Sequence, residues 1–218
     1  MPKRSMPSDL SDGFGRFRTD LYPRQHDLYE QLADRGQKPH TLVIACSDSR
    51  VDPAQIFDAR PGELFVVRNV ANLVPPCEFD GTHHGVSAAL EFAVKKLEVP
   101  NILVLGHRQC GGVNACVAGE HDPEALFIEH WIEPIGQAVE DAKAELKGET
   151  DIEKLSERTE LCSIKRSIER LMTYPFVAER VAAGQVRIHG ARFGIADGEL
   201  EWLTIDGDFQ RVERAKLP

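Results

Sequence analysis

Two stretches of the chain carry residue types that a divalent metal ion selects. "TLVIACSDSR", residues 41–50, is apolar up to Cys46 and then places Asp48 and Arg50 at two-residue intervals. "NILVLGHRQCGG", residues 101–112, is apolar up to His107, with Cys110 three residues on and two glycines directly after it. Both apolar runs are rich in leucine and β-branched residues at consecutive positions, the pattern of a strand covered on both faces. In open parallel sheets ligands gather at the carboxyl ends of the strands, which sends Cys46 and His107 to one rim. Two Cys and one His with a fourth position open is a catalytic zinc arrangement, whereas structural zinc sites are closed by four protein ligands. The glycines after Cys110 let a helix begin unobstructed, and the positive end of that helix lowers a thiol pKa. Asp48 and Arg50, two apart in a segment leaving a strand, can point the same way and form a charge-assisted pair, the arginine keeping the carboxylate ionised. Beside a metal, that carboxylate is an acceptor for a metal-bound water. Each feature alone has a plainer reading, since buried thiols are usually small hydrophobes and loop Asp–Arg pairs are common. Their combination is what points to metal chemistry.

The elements needed to position these residues follow from periodicity. Residues 7–36 are polar with apolar residues at helical intervals and end at "RGQKP", predicting one or two helices. "LFVVRNVA", 64–71, is a further buried strand between the two already named, and the pattern in "GVSAALEFAVKKLEV" predicts a helix from about His84 to Leu97 between strands. Strand, helix, strand in that order implies parallel pairing with right-handed crossovers. Beyond Cys110 the pattern predicts a charged helix over about 123–147, a polar hinge "KGETDIEKLSERTE", and a helix at 161–173. "QVRIHGARF", 185–193, is a fourth strand, and "ELEWLTID", 199–206, alternates like an antiparallel edge. The expectation is a single α/β domain over 1–218, with an N-terminal helical arm at about 7–36 and a core at about 37–206. Its mainly parallel sheet has about four strands and an antiparallel edge strand, flanked by helices, and the N-terminal helices extend onto a partner subunit.

"CSDSRVDP", "PGELFVVRNVANLVPP", "GVSAALEFAVKKLEV" and "GHRQCGGV", in this order and spacing, resemble the β-class carbonic anhydrases, as does "HGARFGIADGEL". The resemblance covers about residues 27–206. It implies zinc held by Cys46, His107 and Cys110, an Asp48–Arg50 dyad, and reversible hydration of carbon dioxide to bicarbonate and a proton by a zinc-bound hydroxide. It also implies that Gln37 donates to substrate oxygen, that Phe65 and Val70 narrow a pocket across a dimer interface, and that the Gly111 backbone lies against the substrate. A homodimer or dimer of dimers is the implied assembly. Where the family often has Tyr-His-Gly this chain has "HHG"; His83 is then either an exposed loop histidine or a proton relay at the pocket mouth. Some members hold a second, inhibitory bicarbonate with a tryptophan, an arginine and a tyrosine. The matching positions here are Val43, Arg68 and Phe193, which lack two of the donors, so Arg68 is expected at an interface or in an internal salt bridge.

Composition excludes other classes. With 26 Lys and Arg against 35 Asp and Glu the net charge is −9, unfavourable for nucleic acid or an anionic membrane surface. No eighteen apolar residues run together and the N-terminus has no apolar signal core, so a protein without membrane span or export signal is expected. Five cysteines, an odd number, fit a reducing cytoplasm; Cys77, Cys116 and Cys162 match no ligand position. Two alternatives remain open: hydrolysis of carbon disulfide or carbonyl sulfide by the same zinc hydroxide, and a non-enzymatic zinc or redox-sensing protein. The latter would require a fourth fixed protein ligand and gives no reason for Arg50.

Overall fold

The computed structural model describes residues 5–79, 83–120, 122–148 and 151–213, in two compact units, Met1–Lys38 and Pro39–Pro218. The first unit is helical: α1 (Ser8–Arg16), a π-helical turn (Phe17–Leu21) and α2 (Tyr22–Arg35), which has Pro23 in its first turn and stops at Gly36 with φ +75°. Phe17, Tyr22 and Tyr29 form an aromatic cluster within it, and none of its helical residues is buried.

The second unit is built on β1 (Thr41–Cys46), β2 (Leu64–Asn69), β3 (Asn101–His107), β4 (Arg187–Phe193), β5 (Leu200–Leu203) and β6 (Phe209–Arg211), in the sheet order β2-β1-β3-β4-β5-β6. β2, β1, β3 and β4 pair in parallel and β5 and β6 antiparallel. Four parallel strands and an antiparallel edge are as the sequence pattern predicts; β6 is additional, because its three residues lie beyond the last periodic stretch. The chain steps from β1 to β2 on one side and returns to β3 on the other. The switch point of the sheet therefore falls between the carboxyl ends of β1 and β3.

Alternate residues of the central strands feed two cores. Leu42, Ile44, Ile102 and Val104 meet Leu90 and Val94 of α4 (Gly85–Lys95), Ile164 and Leu171 of a long helix, and Val177 beyond it. Val43, Ala45, Leu103 and Leu105 face Val51, Phe57, Phe193 and Trp202. Continuous apolarity in β1 and β3 thus reports burial on both faces. β2 departs from that expectation. It is the edge of the sheet, and its Val66 and the following Val70 are exposed in the monomer.

The segment after β3 also differs from the sequence reading. The helices are α5 (Gly111–Ala118), α6 (Ile128–Ile132), α7 (Ile135–Leu146), α8 (Ile152–Leu171) and α9 (Pro175–Ala182), with the short α3 (Pro53–Ile56) between β1 and β2. Pro134 separates α6 from α7, and the stretch read as a polar hinge is largely the start of α8. The Asp151 carboxylate accepts from the backbone N–H groups of Glu153 and Lys154 at 2.9 and 3.3 Å, an N-cap that starts the helix nine residues early. Its buried face there is polar, Ser156, Thr159 and Glu160, so hydrophobic periodicity is silent.

Candidate active site

Cys46 ends β1 and is 5 % exposed; His107 ends β3 and is 1 % exposed; Cys110 precedes α5 and is 2 % exposed. One ligating atom of each lies within 4.8 Å of the other two. The ring of His107 is oriented by its own loop, with Nδ1 donating to the Arg108 carbonyl at 2.9 Å, so Nε2 carries the lone pair. Nε2 is buried and has no hydrogen-bond partner. A buried nitrogen acceptor without a hydrogen-bond partner, beside two sulfurs, fits a bound cation.

The protonation chemistry agrees. The Cys110 thiol hydrogen-bonded to Cys46 holds Cys46 down at about 4 against the opposing effect of burial, with His107 assisting. The same contact, reinforced by burial, pushes Cys110 far above the ordinary thiol range. Burial opposes protonation of His107, but the Cys46 sulfur and the Arg108 carbonyl outweigh it and raise its pKa. Two sulfurs this close do not both ionise unaided, and a divalent cation among them would make both thiolates. The donor set suits zinc, and three ligands leave a fourth position for chemistry.

Beside this set stands Asp48, with Oδ2 3.9 Å from His107 Nε2. Arg50 grips it three ways: backbone N–H and Nε donate to Oδ1 at 2.9 and 3.0 Å, and Nη2 to Oδ2 at 2.7 Å. That grip keeps the Asp48 carboxyl well below the usual carboxylate range. Arg50 Nη2 also reaches the Gln109 carbonyl at 3.5 Å. Arg68 of β2 holds the loop from beneath, donating Nε to the Cys46 carbonyl at 2.9 Å and Nη2 to the carbonyls of Asp48 and Val51 at 2.7 and 2.8 Å. This is the internal use expected of Arg68, with carbonyls in place of a carboxylate as the main partners.

A second loop closes the site after β2. The Asn69 side chain bridges both backbone groups of Leu73, at 2.9 and 2.8 Å, across Ala71, whose φ is +64°. A Cβ on Gly112 would stand 3.2 Å from both Ala71 Cβ and Val70 Cγ1, so the first turn of α5 seats directly on this loop. Val70 thus lies against the first turn of α5, and Gly111 directly follows Cys110. Phe65 lies lower on the sheet. Phe65 pairs in register with Leu42, four rungs below the Cys46–Asn69 pair, and stacks on Phe92 at 5.9 Å. Gln37 is exposed in the N-terminal unit, and His83 is exposed just ahead of α4.

Residues 41–200 match the family model described as "Carbonic anhydrase". The chain belongs to the β-carbonic anhydrase family. It is 38 % identical over 199 residues to beta carbonic anhydrase 5, chloroplastic, of Arabidopsis thaliana, covering 91 % of this chain and 65 % of the length of that relative. Among solved structures, the β-carbonic anhydrase CcaA superposes with a TM-score of 0.86 at 30 % identity, covering 94 % of this chain and 98 % of its own. A tetrameric β-carbonic anhydrase of Sordaria macrospora superposes with a TM-score of 0.73 at 28 % identity, covering 93 % and 95 %.

Sequence reasoning missed two supports of this β-carbonic anhydrase site. Asn69 has a signal in hindsight: Asn at a strand end, four residues before the carbonyl it caps, is a common turn device. Glu160 had none. It is 4 % exposed, accepts the Cys110 N–H at 3.2 Å and pairs with Arg192 at 3.0 Å. Burial raises its pKa while Arg192 and the backbone N–H groups of Cys110 and Gln109 oppose the rise.

Proposed function

We propose that the chain catalyses the reversible hydration of carbon dioxide to bicarbonate and a proton, with zinc held by Cys46, His107 and Cys110. The observation that carries this reading is the buried set of two sulfurs and an unpartnered imidazole nitrogen beside a carboxylate already fixed by arginine. When bound, zinc supplies the Lewis acidity that brings the pKa of a water from about 15.7 to about 7, so that hydroxide is available at neutral pH. The remaining work falls to side chains. Asp48 Oδ2 accepts the O–H of the nucleophile and so aims its lone pair at the carbon, an orientation effect. Arg50 keeps that carboxylate ionised and would hold it away from a bound metal. Cys46 and Cys110, as thiolates, would offset the double charge of a bound zinc ion, which would then hold an anionic product less firmly.

Val70 and Gly111 would wall the substrate, Gln37 would donate to its oxygen, Phe65 would act at the site of a partner, and His83 would relay protons. Residues 1–218 then form one catalytic domain with a helical arm, and the arm and the exposed edge strand β2 suit a homodimer or a dimer of dimers; the Sordaria relative is tetrameric. Five free thiols favour a cytoplasmic setting, and among the described residues no helix is long and apolar enough to cross a membrane. Carbonyl sulfide or carbon disulfide hydrolysis and a non-catalytic sensor are disfavoured by the family, and among the described residues the buried cluster stops at three ligands. Zinc content and carbon dioxide hydration measured on one purified sample test the proposal, with carbonyl sulfide and carbon disulfide as parallel substrates. Zinc-loaded protein that leaves hydration at the buffer rate would overturn it.

A further inference from the structure

A carboxylate almost never lies fully buried unless it is paired, and Glu160 is paired on both sides. Oε1 takes the Cys110 N–H at 3.2 Å, and Oε2 takes Arg192 Nη1 at 3.0 Å. Arg192, 5 % exposed, also donates Nε to Glu201 at 2.7 Å, and Arg108 Nη2 stands 3.3 Å from the same oxygen. Two glycines put Glu160 there. A Cβ on Gly106 of β3 would lie 2.7 Å from Ile164 Cδ1, and one on Gly190 of β4 would lie 2.9 Å from Ile164 Cγ2, so only bare backbone lets α8 settle onto the sheet at this point. Glu160, one helical turn before Ile164, is thereby delivered behind Cys110.

What it holds is a turn with a strained backbone. Gln109 has φ +58°, a conformation that non-glycine residues keep only where the surroundings over-determine it. The helix α5 that starts there has no side-chain cap of its own. The same turn presents the Cys110 sulfur to the ligand set and the Gln109 carbonyl to Arg50. A buried ion pair gives little net stability over apolar residues of similar volume, so stability alone supplies no reason for one at this position.

We propose that Glu160, with Arg192 as its counter-ion, is a positioning residue of the reaction: it pins the Gln109–Cys110 turn, fixing Cys110 Sγ toward the metal and the Gln109 carbonyl toward Arg50. The proposal rests on Cys110 being a metal ligand. It is tested with Glu160→Gln, the double variant Glu160→Leu with Arg192→Met, and Cys110→Ser as control. Zinc affinity is read by competition with a chromophoric chelator, and thiolate geometry by the absorption spectrum of the cobalt-substituted protein. Glu160→Gln keeps one acceptor oxygen but turns an amide NH₂ toward Arg192, and should weaken zinc binding by about tenfold. The double variant keeps a neutral, filled interior without the acceptor, and should lose about 10–100-fold, the usual effect of removing a group that orients a metal ligand, with shifted cobalt bands. Folded variants with wild-type zinc affinity and cobalt spectrum would overturn the proposal, and if the double variant does not fold, Glu160→Gln decides by the same readouts. Tight zinc binding by Cys110→Ser would instead sink the ligand assignment, and the positioning role with it. Loss of zinc in Cys110→Ser alone, with the Glu160 variants unaffected, would sink only the positioning role.

Discussion

Gly106 directly precedes His107 in β3, and its importance is purely steric. Its added Cβ would meet Ile164 at 2.7 Å from Cδ1 and 3.0 Å from Cγ1, while Asn72 Nδ2 at 3.6 Å would be in ordinary contact. Carbon pairs rest at about 3.5–4.0 Å, so roughly 1 Å of movement is required. Ile164 is fully buried between β3, β4 and the rest of the core, leaving α8 itself as the part that gives way. Inserting a methyl into a filled interior costs about 1–3 kcal/mol, and in a chain of 218 residues each kcal/mol moves Tm by about 2–4 °C. Gly106→Ala should therefore lower Tm by roughly 2–12 °C at matched protein and zinc concentrations. Ile164→Val alone should cost about 0.5–1.5 kcal/mol as a small cavity. It removes the closer of the two clashing atoms, so the double variant should be more stable than the sum of the single changes, by about 1 kcal/mol or more. Circular-dichroism melting of the four proteins gives the cycle. Additive Tm shifts, or a Gly106→Ala protein as stable as the parent, would refute the claim that α8 rests on the bare backbone of β3.

Cys110→Ser should lose most of its zinc and its hydration activity by metal analysis and stopped-flow assay; full zinc occupancy would show the ligand assignment to be wrong. Asp48→Asn cannot satisfy Arg50, because its amide nitrogen must face either the Nη2 donor or the two donors on Oδ1. It should keep its zinc while turnover falls by roughly 10²–10⁴-fold, and near-parental turnover in the zinc-loaded variant would remove Asp48 from the mechanism. Asp141 of α7 is clamped by Arg166 of α8 through contacts of 2.6 and 2.8 Å, chiefly hydrogen bonds, which hold its carboxyl below the usual range. The folded pKa lies under the unfolded value of about 3.9, so the unfolded chain takes up the proton first. The contribution is present above that pH and is lost as pH falls through the folded pKa. Asp141→Asn should flatten the acid limb of a Tm-against-pH curve, and an unchanged slope there would count against the clamp.

The sequence by itself determined the candidate metal site and the sheet that presents it. Cys46 and His107 each close an apolar run that reads as a strand buried on both faces, and the carboxyl ends of parallel strands share a rim. Cys110 follows within a turn of His107, so its place is fixed by local geometry, as is the Asp48–Arg50 pair. What only the tertiary structure decided are the contacts between segments far apart in the chain. Arg68 is separated from the loop it supports by about twenty residues, and its three carbonyl acceptors are backbone groups that no residue type announces. Glu160 lies 50 residues from the Cys110 N–H it receives, on a helix face that is buried yet polar, so the periodicity that reveals a buried helix is absent and the stretch reads as a hinge. Its partner Arg192 sits in a strand, where a charge suggests the solvent side. Gly106 and Gly190 look like weak points of their strands until α8 is seen lying against both. Hydrophobic pattern records which residues leave water; it does not record which buried polar groups face one another, because that depends on where the packed elements come to rest.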